Sequence, residues 1–441
     1  MKRITYSLFI FLIIIGNIYS QQEKGIIGSN NWLRNWTEFK PSQKDYGEPT
    51  QILTGNITEN TKLSKRDVYL LLGSVFVTNN ATLTIEPGTV IIGDYDSKAS
   101  LTISKGSKII AEGSVTDPIV FTSSKSVKRP GDWGGIIILG EAPINRFGSG
   151  SAASYYPNLS GINYANTNYG GDNELSNSGI LDFVRIEYAG KRITREKYFN
   201  GLLLASVGEG TILSNIMVSH SAGDSYSVWG GKVNLFKAVS YKSNGTDFKF
   251  NYGTQSTISN SLAVRSPYSS SDYGSKCLDI LSYDKKEEFD FSKQNTLVSA
   301  KNITLINDSD NLVSDIEMNL VKEAIYVGAN SKFQMDKSVV SGFKPAVILD
   351  NEININQNSL EQIAFTEMYF NNCKGNIFIE NNSNNEDLEN WYGNTSFFNV
   401  YSKGQDKETF IDLKNDKMPD FRLRINKIIA SNAVDEDLRD N

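Results

Sequence analysis

The chain has 441 residues, with 44 lysines and arginines against 50 aspartates and glutamates, one histidine and two cysteines. A formal charge of −6 with no basic block leaves no electrostatic footprint for nucleic acid. One histidine and two distant cysteines exclude a zinc cage and an HExxH protease, so stability has to come from a core of apolar side chains.

Residues 1–20 read as an export signal. Lys2 and Arg3 precede an apolar run from Leu8 to Ile15, and Ser20 is the expected last residue before cleavage. The run is shorter than the roughly 20 residues that a membrane span needs, and no later segment approaches that length. No transmembrane span is therefore expected in the mature chain, and no cysteine near residue 20 offers a lipid anchor. Residues 21–50 contain "NNWLRNWTEFKP", whose two tryptophans suit a capping segment that shields the open edge of a first turn.

Residues 51–402 carry short runs of alternating apolar residues punctuated by Gly, Asn and Ser: "VYLLLGSVFV" (68–77), "ATLTIEPGTVII" (81–92), "ASLTISKGSKIIAEG" (99–113) and "PIVFTS" (118–123). This is strand patterning. Leu83-Thr84-Ile85 can be laid on Leu101-Thr102-Ile103 at an offset of 18 residues. A second self-similar set, "TILSNIMVS", "KVNLFKAVS" and "STISNSLAV", gives offsets of 21 and 25 when Ile212, Val233 and Ile258 are taken as equivalent. Repeats of about 20 to 25 residues with strands and no helices indicate an all-β solenoid of stacked parallel strands, with asparagines at its corners. Later runs, "NITLIN" (302–307), "GNIFIEN" (375–381) and "TSFFNVYS" (395–402), fit further turns. Residues 403–441 are expected to form a C-terminal cap and an acidic tail. Cys277 and Cys373, far apart along such a coil, are expected as free thiols.

Within the coil, "PGDWGGIIILGEAPIN" (130–145) reads as one strand covered on both sides, with Gly134 and Gly135 allowing a tight entry and Trp133 packing across a corner. The polar insertion 146–178 that follows carries Tyr155, Tyr156, Tyr164 and Tyr169. It is either an ordered cover over the solenoid flank or a binding loop, since tyrosines stack on sugars and peptides at low entropy cost. With Trp133 and Trp229 on nearby faces, these tyrosines are the candidate glycan- or partner-binding residues.

"ATLTIEPGTVIIG", "SKIIAEGSVTDPIVFTS", "PGDWGGIIILGEAPIN", "SGILDFVRIEYAG" and "NGLLLASVGEGTILSNIMVSHSAGDS" together resemble the right-handed parallel β-helix surface proteins common in Bacteroidetes. The likeness runs from about Asn56 to Val264. It implies a right-handed parallel β-helix with N- and C-terminal capping segments, exported to the periplasm, the outer membrane or the cell surface. Relatives tend to carry paired acidic residues after the strand that here ends "IMVS"; this chain has only "HSAGDS" and, one turn on, "NGTDFKF".

The chemistry is sparse. A catalytic triad would have to use His220 with Asp224 or Asp247, and no GxSxG elbow accompanies it. A glycosidase needs neighbouring carboxylates, and Asp224 and Asp247 each follow a strand by a few residues, with Asp272 and Asp279 extending the line. A lyase would add Lys249 or Arg265 as base and carboxylate-held Ca²⁺. "NDSDN" (307–311) and "GDYDS" (93–97) alternate oxygen ligands without EF-hand spacing, so solvated turns are the expectation, with no metal site and no cofactor assigned. The expected function is an exported, non-enzymatic cell-envelope protein that binds a glycan or an envelope protein in an adhesive or accessory role. A carbohydrate-active enzyme using solenoid-face carboxylates is one alternative, and an accessory subunit of an outer-membrane transport or secretion assembly is another.

Overall fold

A computed structural model describes residues 24–269, 275–382, 385–415 and 417–424. The export signal at 1–20, Asp272 and the acidic tail beyond residue 424 lie outside the described residues. Among the described residues twenty-nine strands form one continuous parallel sheet wound into a coil, an all-β parallel β-helix. The ladder starts with Gln51–Ile57 and reaches Val400–Ser402.

Each turn contributes a short strand to each of three faces. The first face includes Thr82–Ile85, Lys108–Glu112, Asn234–Phe236 and Gln255–Ser259. The second includes Val90–Gly93, Ile119–Ser123, Val239–Tyr241 and Leu262–Arg265. The third stacks Ile136–Leu139, Leu202–Ala205, Tyr226–Trp229, Phe248–Asn251 and Leu278–Ile280. Because side chains alternate along a strand, each face sends every second residue inward. On the first face Ile85, Ala111, Leu181, Leu213, Leu235, Ile258 and Ala300 form one inward column. All of them belong to a single continuous core.

Two repeat assignments change with this register. Leu83 pairs with Ile109, 26 residues on, while Leu101 pairs with Val75 on the third face. The 18-residue likeness therefore compares two faces of one turn, which share inward Leu and Ile, and not two turns. Leu235 stacks on Leu213 and Ile258, so Ile212 and Val233 are each off the column that Ile258 occupies. Ile212 points to solvent, because slipping one residue moves a side chain to the other face.

The bends between faces use left-handed backbone. Between the first and second faces Asn215, Lys237, Asn260, Asn302, Lys337 and Glu367 all have φ between 47° and 56°. Asparagine tolerates this conformation better than most residues, which accounts for its place at three of these corners.

Two faces are covered on their outer side. Residues 24–39, part of the segment 21–50 expected as a cap, lie along the second face across successive turns. Gly25 N donates to Lys337 O, Ile26 N to Thr304 Oγ1, and Ile27 N to Asn260 Oδ1. Further along, Trp36 packs edge-on to Phe183 and Tyr46 OH donates to Glu187. Leu33, Trp36 and Phe39 thereby share an apolar cluster with Met217, Val239, Leu262, Ile306 and, from the C-terminal hairpin, Phe410 and Phe421. At the far end the helix Glu386–Tyr392 inserts Leu388 and Tyr392 into the main core. Among the described residues no helix is long and apolar enough to cross a membrane.

Candidate functional site

The strand Ile136–Leu139 is buried on both sides, as its composition requires. Ile136 and Ile138 point into the main core. Ile137 and Leu139 point outward beside their register partners Leu203 and Ala205, and are covered by Ala152, Tyr155, Tyr156 and Tyr169 of the insertion together with Phe199. The insertion is thus an ordered cover over the third face. Tyr156 shares a short hydrogen bond with Thr102 and packs on Phe76, so it is a packing residue and not a binding one. Tyr164 is exposed but stands away from the cavity described below.

Trp133 is also corrected. It is fully buried, stacked on Phe121 at 6.3 Å, and its indole N–H donates to Glu187 O at 2.8 Å. A side chain at Gly93 would lie 2.6 Å from its ring, so the glycine there makes room for the indole. Trp133 is a core residue with no surface to offer a ligand.

Just beyond the covered part, the third face is open. The insertion and residues 196–200 form one wall of a cavity of about 400 Å³ whose floor is the outer side of Tyr226–Trp229, Phe248–Asn251 and Leu278–Ile280. The parallel register stacks Ser227, Lys249 and Asp279 in one outward column along that floor. Asp224 enters from the preceding corner, where its Oδ1 accepts from Thr246 N. Asp284 follows the next strand and accepts from Asn251 Nδ2 and Tyr252 OH, both at 2.6 Å, with Lys249 Nζ at 3.5 Å. Tyr155 and Tyr169 reach the cavity from the insertion, and half-buried Trp229 packs against both at about 6 Å. Tyr252 stands edge-on to Trp229 from the following turn.

Charge in this cavity is unevenly shared. Burial pushes the Asp224 carboxyl above its ordinary range, and Lys249 offsets this only in part. Burial acts the same way on Asp284, but there Lys249 and the hydrogen bonds from Tyr252 and Asn251 outweigh it and hold the carboxyl low. Burial alone would lower the Lys249 ammonium, yet Asp284, Asp279 and Asp224 outweigh that and keep it above the usual lysine value. Lys249 is therefore a fixed cation and a poor base. Among the described residues no group of three or more His, Cys, Asp or Glu side chains converges as a metal site. In "GDYDS", Asp94 Oδ2 accepts from Ser97 N, the ordinary work of a turn aspartate.

The remaining sequence candidates fall elsewhere. Asp247 stands at the corner just before Phe248–Asn251, where its carboxylate turns into the interior. It is fully buried, accepts from Ser240 Oγ at 2.5 Å and is paired with Arg265 at 3.1 Å. Neither Asp247 nor Arg265 lines the cavity on the third face. His220 sits at a corner with φ of 53°, its ring stacked on Tyr188 and edge-on to Tyr241. Burial, with a smaller contribution from Lys242, lowers its pKa to about 4. No serine and carboxylate flank it as a triad would require among the described residues. Cys277 is buried, Cys373 is partly so, and both are free thiols.

Asp284, Tyr252 and Asn251 were not among the sequence candidates. The only signal for Asp284 was its place one turn after "FKFN", and it was hidden in the charged run "DKKEE".

Another groove, of about 900 Å³, lies between the second face and the C-terminal hairpin, with Tyr241, Val264, Ile306 and Phe421 among its lining. Its rim charges include the Lys242–Asp308 pair, and its lining also carries Tyr268, Asp406, Glu408 and Asp412.

No curated protein matches the chain. Among solved structures it is similar to a pectin methylesterase in complex with a hexasaccharide, at 10% identity and a TM-score of 0.29, over 70% of this chain and 82% of that one. It is also similar to the catalytic domain of a GH87 α-1,3-glucanase in complex with tetrasaccharides, at 10% identity and a TM-score of 0.26, over 88% and 69%. Residues 55–410 match the family described as "Pectate-lyase like beta helix domain". That span takes in all three faces and the cavity, and the chain belongs to the pectate-lyase-like β-helix domain family.

Proposed function

We propose that the protein is an exported, envelope-associated β-helix that binds a glycan in the cavity on its third face, without turning it over. The observation that carries this reading is the placement of Trp229: a half-buried indole on a rigid floor, ringed by Tyr155, Tyr169 and Tyr252 and flanked by charged hydrogen-bonding groups. Saccharide sites combine an aromatic platform for the apolar face of a ring with polar groups at its edges. Trp229, Lys249 and Asp279 stand on three stacked strands of the floor, whose backbone is fixed by ladder hydrogen bonds, while Tyr155 and Tyr169 are supplied by the insertion. Export rests on the segment Lys2 to Ser20, and an envelope protein remains the alternative partner.

A second reading, hydrolysis, has its own support. Asp224 and Asp284 share the cavity, and their surroundings push one carboxyl up and the other down, the division that acid and base roles need. A lyase using Lys249 or Arg265 as base has no such support, since the first stays charged and the second is buried in a pair.

A glycan array on the mature protein tests the reading, with Trp229→Ala beside it and product release measured on the same polysaccharides. Binding should fall about tenfold or more in the variant, as at an aromatic hot spot. Binding that Trp229→Ala leaves intact places the glycan elsewhere, and product release abolished by Asp224→Asn establishes the hydrolase instead.

A further inference from the structure

We infer that the glycan unit seated in this cavity carries a free amine, and that uronate-bearing chains are excluded. This rests on the glycan reading above and adds the chemistry of the sugar.

The inner cavity holds three carboxylates, Asp224, Asp279 and Asp284, around one ammonium, Lys249. The other cations at its edge have partners. Arg146 is ion-paired with Glu288 and lies over the Tyr252 ring. Lys276 meets Glu323 at 3.6 Å and lies over Tyr326. Lys197 sits 4.3 Å above the Tyr155 ring and bonds to Ser154. Lys249 is drawn to Asp284, whose oxygens also accept from Asn251 and Tyr252. Asp224 and Asp279 are left without an ion-pair partner among the described residues.

Asp279 is the telling residue. It is 93% buried, since 7% of its surface is exposed, and its Oδ1 accepts no hydrogen bond. It cannot turn away, because its strand is locked between Lys249 and Tyr326 in the outward column. A buried carboxylate oxygen without a donor is costly, and native structures rarely keep one unless something fills the need. A sugar hydroxyl would supply a donor. An ammonium supplies three donors together with the positive charge that offsets the excess of carboxylates. A uronate would instead bring a fourth carboxylate into a site whose one inner cation is already paired with Asp284. The same argument assigns Asp224 as the second contact of the amine, because burial disfavours its charged form until a cation arrives.

The test is calorimetric titration of the mature protein, at pH 6 and 0.15 M salt, with four probes. These are a glucosamine tetramer, its fully N-acetylated counterpart, a galacturonate tetramer and a simple diamine. The free amino sugar should bind at least tenfold more tightly than the acetylated one, and the galacturonate should not bind. Asp279→Asn, with its circular dichroism unchanged, should bring the two glucosamine tetramers to within about threefold of each other. A general attraction of cations to this acidic chain would survive that substitution, and its survival overturns the inference. Equal, Trp229-dependent binding of the acetylated and free tetramers overturns the inference and leaves the glycan reading standing. A diamine that binds as tightly as the tetramer removes the sugar part of both readings, and tight binding of the galacturonate refutes the charge argument outright.

Discussion

Trp133 and Trp229 look alike in sequence and should behave oppositely when removed. Trp133→Ala empties a site that is fully enclosed, stacked on Phe121 and fitted against Gly93. Truncating a buried tryptophan costs about 3–5 kcal/mol in transfer and cavity terms. The indole N–H also satisfies the Glu187 carbonyl, and leaving that acceptor buried without a donor adds about 1–3 kcal/mol. A loss of about 5 kcal/mol is therefore expected, against a total stability on the order of 5–15 kcal/mol. Trp133→Phe keeps the stack and loses the donor, so its cost should be about 2 kcal/mol. Trp229→Ala, at a half-buried floor position, should cost about 1–2 kcal/mol and express itself mainly in binding. Urea unfolding followed by β-sheet circular dichroism measures all three. If Trp133→Ala falls within 1 kcal/mol of the parent, or Trp229→Ala costs more than it does, the assignment of one indole to the core and the other to the site is wrong.

Two further outcomes follow from buried charge. Arg265→Leu should destabilise by about 3–5 kcal/mol because it strands Asp247 in the interior, while the double variant Asp247→Leu/Arg265→Leu should be nearer the parent, a comparison that a double-mutant cycle reads directly. His220 is held neutral by burial, with a pKa near 4 against an ordinary 6.5, so the unfolded chain binds the extra proton first as pH falls. Stability should therefore rise with pH between about 4 and 6.5, by at most about 3 kcal/mol, and His220→Phe should flatten that slope; an unchanged slope would show that other groups set it.

Much of the architecture was present in local patterning. Alternation in "ATLTIEPGTVII" and "GIIIL" makes strands, their spacing makes turns of a coil, and a four-residue run as apolar as Ile136–Leu139 requires cover on both sides. Asparagine at recurring positions also anticipates the corners, because a left-handed bend favours it wherever the chain turns. Residues 146–178 could be recognised as an insertion, and Asp224, Asp279, Tyr155, Tyr169 and Trp229 could be named as candidates. Each of these depends only on a residue and its near neighbours.

Tertiary structure decided what depends on register and on distant chain. Leu83 resembles Leu101 but stacks on Ile109, since inward positions on different faces of a turn meet the same apolar core and accept the same residues. Asp247 and Asp224 both stand at corners just before their strands, and packing there draws Asp247 inward to Ser240 and Arg265 while Asp224 opens onto the cavity, a difference that strand alternation does not set. Tyr155, Tyr156 and Tyr169 are drawn down onto Ile137 and Leu139 because an outward apolar strand needs a cover, and a polar insertion with spare aromatics supplies it. Asp284 joins the site only because stacking brings one turn's loop beside Lys249 and Tyr252 of the turn before, a contact between residues more than 30 apart that no local pattern encodes.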